Sequence, residues 1–311
     1  ARMTSGASII YPESVAMDSS GDVYVGQYYN YGIKKFNYAN KTVDVNFGSS
    51  GIYRGTGSGG NCPVYYPKDM QVYNGYLYWN SHYSNRVARV NLSNGRCDWV
   101  KRIGRYPYAM QIRNNILYTL DRSRIYVRNL STGTDITCSW SGNLRSYGQS
   151  SYAMTIDQSG SNMYIQNGSY TYRFGIDSNK CPVTSYLARF NPGAGSHIMG
   201  LVAHPTDDSI LYYSNYYSHR IEKLTLNSNK TGYTNKTTKG RCCTGTSTAS
   251  NVRMYYPKNM AIDAVNNKIA ITNYYGRSVQ FFDLNLTFLK EFGASAGTRM
   301  TGAHEAIKAI V

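Results

Sequence analysis

The segment YPESVAMDSSGDVYVGQYYNYGIKKF at residues 11–36 returns near the other end of the chain as YPKNMAIDAVNNKIAITNYYGRSVQFF at residues 256–282. Each copy opens Tyr-Pro and runs through a short apolar stretch to Asp18 or Asp263. Each then turns on small polar residues, gives an apolar strand, a Tyr-Tyr loop and a third strand. Four more copies lie between, at residues 66–90, 106–128, 151–174 (without the proline) and 199–224, the most divergent. A chain that repeats one supersecondary unit buries its apolar faces by stacking the units, so the repeat restricts the fold more than any other feature.

The units are all-β. The second strands read Val23-Tyr24-Val25, Tyr76-Leu77-Tyr78, Ile116-Leu117-Tyr118, Met163-Tyr164-Ile165, Ile210-Leu211-Tyr212 and Ile269-Ala270-Ile271. These are short β-branched and aromatic runs with no helical period. First and second strands are joined by pairs such as Ser20-Gly21, Asn74-Gly75 and Asn114-Asn115, which tolerate the positive φ of hairpin turns. A weaker fourth strand follows, clearest at residues 97–100 and 288–292. Six four-stranded units of roughly 40 to 55 residues predict a six-bladed β-propeller with four antiparallel strands per blade, in preference to a β-sandwich. The expected division is an N-terminal segment at 1–9, the propeller at 10–293 and a C-terminal segment at 294–311.

The frame resembles the NHL repeat: proline, apolar strand, Asp, small turn with Gly, apolar strand, polar loop with Asn and Arg, apolar strand. Pro12, Asp18, Gly21 and Val25 carry it in the first unit, Pro67, Asn85, Arg86 and Val87 in the second, and Pro257, Asp263, Arg277 and Val279 in the sixth. The resemblance implies a propeller but no single function, because enzymes, RNA binders and protein-binding modules share that repeat.

No apolar run approaches the length of a membrane-spanning helix. The chain begins at Ala1, as a processed or excised chain does. Six cysteines, Cys62, Cys97, Cys138, Cys181, Cys242 and Cys243, lack CxxC spacing and read as disulfides of open connectivity. N-x-Ser/Thr sequons occur at Asn40, Asn91, Asn129, Asn167, Asn229, Asn235 and Asn285. Five of them (40, 91, 129, 229 and 285) fall at the turn between third and fourth strands. Together these features predict an extracellular, N-glycosylated protein.

Tyrosine is the compositional outlier, with 32 residues in 311. Strand propensity accounts for Tyr24 or Tyr78, but not for those in loops. Tyr28, Tyr29, Tyr83, Tyr170, Tyr216, Tyr217, Tyr274 and Tyr275 lie between second and third strands. Tyr66, Tyr106 and Tyr256 lead into first strands, and Arg86, Arg124, Arg220 and Arg277 sit beside these loops. In a propeller both loop sets share one face, opposite the sequon turns. The expected binding surface is therefore a Tyr/Arg ring, in a chain of net charge +16 that favours an acidic polysaccharide, another protein or a copy of itself.

Two other function classes compete with a binding module. The resemblance to NHL propellers raises a metal-dependent lyase or hydrolase, which needs ligands converging on the axis. Only His82, His197, His204, His219 and His304 are present, and the residues ending the second strands read Gln27, Asn80, Asp121, Asn167, Asn215 and Asn273. That set predicts no catalytic residue, no metal and no cofactor beyond a weak Ca²⁺ site. Single-stranded RNA binding would suit Tyr and Arg but not the cysteines and sequons, so nucleic acid is not the expected partner. Residues 306–311 read as an extra apolar strand, which either closes the ring or joins subunits head to tail by strand addition.

Overall fold

A computed structural model describes residues 9–293 apart from 30, 38–41, 45–46, 48–51, 55–61, 122–123, 140–150, 194–196 and 243–246. Asn40, Cys243 and the expected strand at 306–311 lie outside the described residues.

Six four-stranded antiparallel sheets follow one another in chain order, each with its strands in sequential order. The first strands are Pro12–Met17, Pro67–Tyr73, Ala109–Arg113, Ser151–Ile156, Ile198–Ala203 and Pro257–Asp263. Each packs against the first strands of the two neighbouring blades, and Pro257–Asp263 meets Pro12–Met17 to complete the circle. The expected all-β, six-bladed propeller is the observed fold.

Period-two patterning builds the blade contacts. Val23 and Val25 pack toward the sixth blade, while Tyr24 between them packs toward the second. Six apolar clusters result, one at each junction between adjacent blades. A fully buried Val, Leu, Ile or Phe side chain stabilises by about 1.5–3 kcal/mol, so the core is a ring of interfaces rather than a single centre.

The repeated Asp has a local task. Asp18 accepts hydrogen bonds from the Ser20 and Asp22 N–H groups at 3.0 and 2.9 Å, and Asp263 from those of Val265 and Asn266 at 3.1 and 3.0 Å. Each carboxylate thereby fixes the turn into the second strand. Asn74 (φ 47°) and Gly75 (φ 77°) take the positive φ values a tight hairpin needs.

One element lies outside the six-unit frame. A short parallel pair, Ile52–Arg54 with Cys62–Val64, links the first two blades. Cys62 is bonded to Cys97 on the fourth strand of blade two, and Cys138, beyond the fourth strand of blade three, is bonded to Cys181 of blade four. Cys242 is also disulfide-bonded.

Candidate functional site: a tyrosine ring around a buried lysine pair

The face carrying the tyrosine loops is built by strained backbone. Tyr11, Tyr66, Tyr106 and Tyr256, each just before a proline, have φ of 46°, 62°, 57° and 59°. The proline ring disfavours right-handed helical conformation in the preceding residue, and here the chain takes the left-handed alternative, which is rare for a bulky side chain. The conformation aims carbonyls at the neighbouring loop. Tyr11 accepts from the Tyr28 N–H, Tyr66 from that of His82 and Tyr256 from that of Tyr274, each at 3.1 Å. The loops themselves share one shape, with Tyr31, Asn85, His219 and Arg277 at φ 43–57° in corresponding positions.

These bonds bring the rings together. Centroids lie 5.9 Å apart for Tyr217–Tyr256, 5.1 Å for Tyr256–Tyr275 and 5.7 Å for Tyr275–Tyr11. The series continues through Tyr11–Tyr29 at 5.0 Å, Tyr29–Tyr28 at 4.5 Å and Tyr28–Tyr66 at 4.2 Å. It ends with Tyr66–Tyr83 at 5.3 Å and Tyr83–Tyr106 at 6.2 Å. Unbroken aromatic contact thus crosses blades five, six, one, two and three, mostly in the tilted and edge-to-face geometries that the ring quadrupole favours. Tyr29 and Tyr217 are 57% exposed, Tyr83 42% and Tyr275 38%. Tyr66 and Tyr274 are buried, so they floor this surface rather than present it. Tyr170 packs on Tyr172 with Arg189 over its ring, within blade four.

The arginines contribute unevenly. Arg277 stacks 4.9 Å over Tyr11, whereas Arg220 lies 3.6 Å from the buried Glu222 carboxylate. Arg124 is exposed, Arg86 half-buried. The cations at the centre are two lysines that the sequence reading passed over. Lys68 donates to one Glu13 oxygen at 2.9 Å and Lys258 to the other at 2.5 Å. All three directly follow the proline that opens a first strand, in units one, two and six. Those strands slip register just there, at Pro12/Ser14, Pro67/Met70 and Pro257/Met260, which takes these side chains out of the ladder's alternation. The missed signal was a charge recurring at one repeat position inside an otherwise apolar strand.

The cluster is nearly dry. Glu13 is 2% exposed, and Lys258 is buried beneath the Tyr274 ring at 3.6 Å, with Tyr216 at 5.8 Å and Tyr28 at 6.0 Å. Lys68 sits 4.6 Å from the Tyr66 ring. Burial pushes the Lys258 ammonium down to about 8, with Lys68 adding to the effect and Glu13 opposing it. The Glu13 carboxyl is held below its ordinary value: burial acts upward, but Lys258 and Lys68 outweigh it.

On the other side of this plug lies an axial cavity of about 220 Å³ lined by all six first strands. Burial raises the Asp69 carboxyl there to about 7, against donors from the Met110 and Met70 N–H groups and the Asn259 amide at 2.8–2.9 Å. His204 lines the same cavity.

Gln27, Asn167, Asn215 and Asn273 end second strands and are buried, whereas Asn80 stands one residue before the end of its strand and Asp121 one residue beyond the end of its own. Asn80 Oδ1 accepts from the Lys68 and Asp69 N–H groups, Asn273 Oδ1 from that of Tyr255 and Asn215 Oδ1 from that of Ser218. His82 Nδ1 lies 2.9 Å from the Pro107 carbonyl, and His219 Nδ1 accepts from the Tyr256 N–H at 3.2 Å. Among the described residues no group of three or more His, Cys, Asp or Glu is placed to hold a metal ion.

The sequons separate in the same way. Asn91, Asn129, Asn229 and Asn285 lie at turns leading into fourth strands, and Asn235 is exposed on one. Asn167 does not fit the expectation of a glycan: its side chain is 1% exposed, so the folded chain has no space for a sugar on its amide.

No family model matches the chain, and no curated protein matches it. The NHL resemblance therefore extends to the propeller and not to a shown family. Solved structures do match. A Lactobacillus plantarum protein determined by a structural genomics consortium superposes with a TM-score of 0.59 at 12% identity, covering 91% of this chain and 85% of its own. Hydrazine synthase of Kuenenia stuttgartiensis gives 0.58 at 10% identity, covering 94% and 88%. Virginiamycin B lyase of Staphylococcus aureus gives 0.55 at 13% identity, covering 94% and 87%. At such identities the likeness establishes the propeller fold and nothing finer.

Proposed function

We propose that this chain is an extracellular, non-enzymatic binding module, structural or adhesive in role, which takes its partner on the tyrosine face. The observation carrying this reading is the unbroken arc of aromatic contact, with one well-exposed tyrosine in each of blades one, two, five and six. Tyrosine supplies a large, stiff contact area at low entropic cost. The net charge of +16 favours an acidic partner, an acidic polysaccharide or protein, and self-association into filaments is part of the same proposal. The Cys62–Cys97 and Cys138–Cys181 bonds support an oxidising compartment.

The test is binding of the full chain to an immobilised sulfated polysaccharide, to itself and to single-stranded RNA. Replacing Tyr29, Tyr83, Tyr217 and Tyr275 together by alanine should weaken polysaccharide or self-binding at least tenfold. Tighter binding to RNA than to either would displace the reading, as would an unchanged affinity in a folded variant.

A further inference from the structure

We infer that the exposed tyrosines of this ring are a site of oxidative cross-linking, joining copies of the chain through dityrosine bonds when a peroxide and a haem peroxidase are supplied. The inference rests on the reading of this face as an interaction surface and adds a covalent step to it.

Three observations lead there. Tyr29, Tyr83, Tyr217 and Tyr275 stand 38–57% exposed, so an oxidant and a second chain can reach them. Each also touches further tyrosines at centroid distances of 4.5–5.3 Å, among them Tyr28 and Tyr66. An electron lost from one ring can therefore be replaced from the next, and the radical persists at whichever exposed ring a neighbour meets. Finally, there are no free cysteines among the described residues. A nearby thiol would otherwise repair a phenoxyl radical by giving up its hydrogen.

The chemistry balances without any group from the protein beyond the phenols. Each of two tyrosines loses one electron and one proton from its hydroxyl. The two radicals join through the ring carbons ortho to the oxygens, and the hydrogen on each joined carbon moves to its oxygen to restore the phenol. Two hydrogen atoms leave in all, and one hydrogen peroxide accepts them to give two waters. An oxidising extracellular setting, to which the disulfides point, is where such a peroxide is available.

The experiment treats the intact full chain with hydrogen peroxide and a haem peroxidase, then reads dityrosine fluorescence, covalent multimers on denaturing gels and cross-linked peptides by tandem mass spectrometry. Linked peptides should map chiefly to Tyr29, Tyr83, Tyr217 and Tyr275. Tyr170 and Tyr186 serve as the internal comparison, being 37% and 40% exposed but packed on Tyr172 in blade four. Changing the four ring positions to phenylalanine keeps the aromatic packing and should cut multimer yield at least fivefold. The Tyr170→Phe, Tyr186→Phe double variant should leave it unchanged. Links spread evenly over Tyr170 and Tyr186, or full multimer yield from the fourfold phenylalanine variant, would overturn the inference. Polysaccharide and self-binding of the phenylalanine variant are measured alongside. Retained binding with lost cross-linking separates this step from the docking reading, and peptide mapping of the wild type stands if the variant folds poorly.

Discussion

Glu13 is a single carboxylate shared by two buried lysines from the neighbouring blades, and its removal should cost more than that of either lysine. Glu13→Gln leaves two ammonium groups close together without a counter-charge, and breaking a buried pair in that way costs about 3–5 kcal/mol. Lys258→Met keeps the volume and leaves Lys68 on the carboxylate, so urea unfolding should place it within about 1 kcal/mol of wild type or above it. The pH dependence has a definite sign. With the folded Lys258 amine lowered to about 8, the unfolded chain holds the extra proton between pH 8 and about 10.4. Wild type should therefore gain stability relative to Lys258→Met as pH rises from 8 to 10, by at most about 1.4 kcal/mol per unit. A flat difference curve would show that Lys258 titrates normally. The sequons give another residue-scale outcome. Glycopeptide mass spectrometry of the protein from its native source should find sugar at Asn91, Asn129, Asn229 and Asn285 and none at the buried Asn167. Sugar on Asn167 would contradict the fold, and no sugar at any of the four turn sequons would count against the extracellular reading.

The blade contacts depend on close approach of first strands, which gives sharp expectations at the level of elements. Gly200 in the fifth blade faces the sixth, where an added Cβ would run into the Lys258 carbonyl oxygen and the Ser214 hydroxyl. Backbone cannot yield as a flexible side chain does, so Gly200→Ala should cost about 1–3 kcal/mol in chemical denaturation. The bond between Cys138 and Cys181 spans a sequence separation of 43 and ties blade three to blade four. Changing both to serine should lower stability by about 3–4 kcal/mol on the chain-entropy account, and calorimetry would detect it as a lower Tm. These elements also show what the sequence made legible. Alternation such as Val23-Tyr24-Val25, the Asn74-Gly75 turn and the Asp18 motif are local signals, and they led directly to strands, hairpins and six units. The common face of the loop tyrosines followed from strand order alone. The Glu13–Lys68–Lys258 cluster did not, because it unites blades one, two and six across the closure of the ring and depends on register slips that composition hides. The buried fate of Asn167 was hidden for a related reason: a sequon spells exposure, while the end of a second strand here points inward.

At the scale of the whole molecule the question is how the ring closes. Many closed sheets hold first and last elements together by backbone pairing, but blade one here takes all four strands from residues 12–44 and blade six all four from 257–293. Among the described residues the closure is made by side chains. Asn259 Oδ1 accepts from the Val15 N–H at 3.1 Å, and Lys258 reaches Glu13. Ile9, Val15 and Phe36 pack with Val279, Phe281 and Phe292 in one buried cluster, the Phe36 and Phe292 centroids 4.8 Å apart. All six junctions lack, among the described residues, the ladder hydrogen bonds of a shared sheet, but blades six and one are also not consecutive in the chain, so this should be the place where the propeller opens first. Hydrogen exchange should show the amides at the edges of blades one and six protected less than those of blades two and three. Phe292→Ala removes a buried ring from this junction and should cost about 3–5 kcal/mol. A chain shortened to end at Gly293 keeps every one of these contacts and should fold with a Tm close to that of the full chain. Equal stability combined with loss of self-association would assign residues 294–311 to contacts between copies. Unfolding of the shortened chain would instead make them part of the closure, and the side-chain junction between blades six and one would then be insufficient by itself.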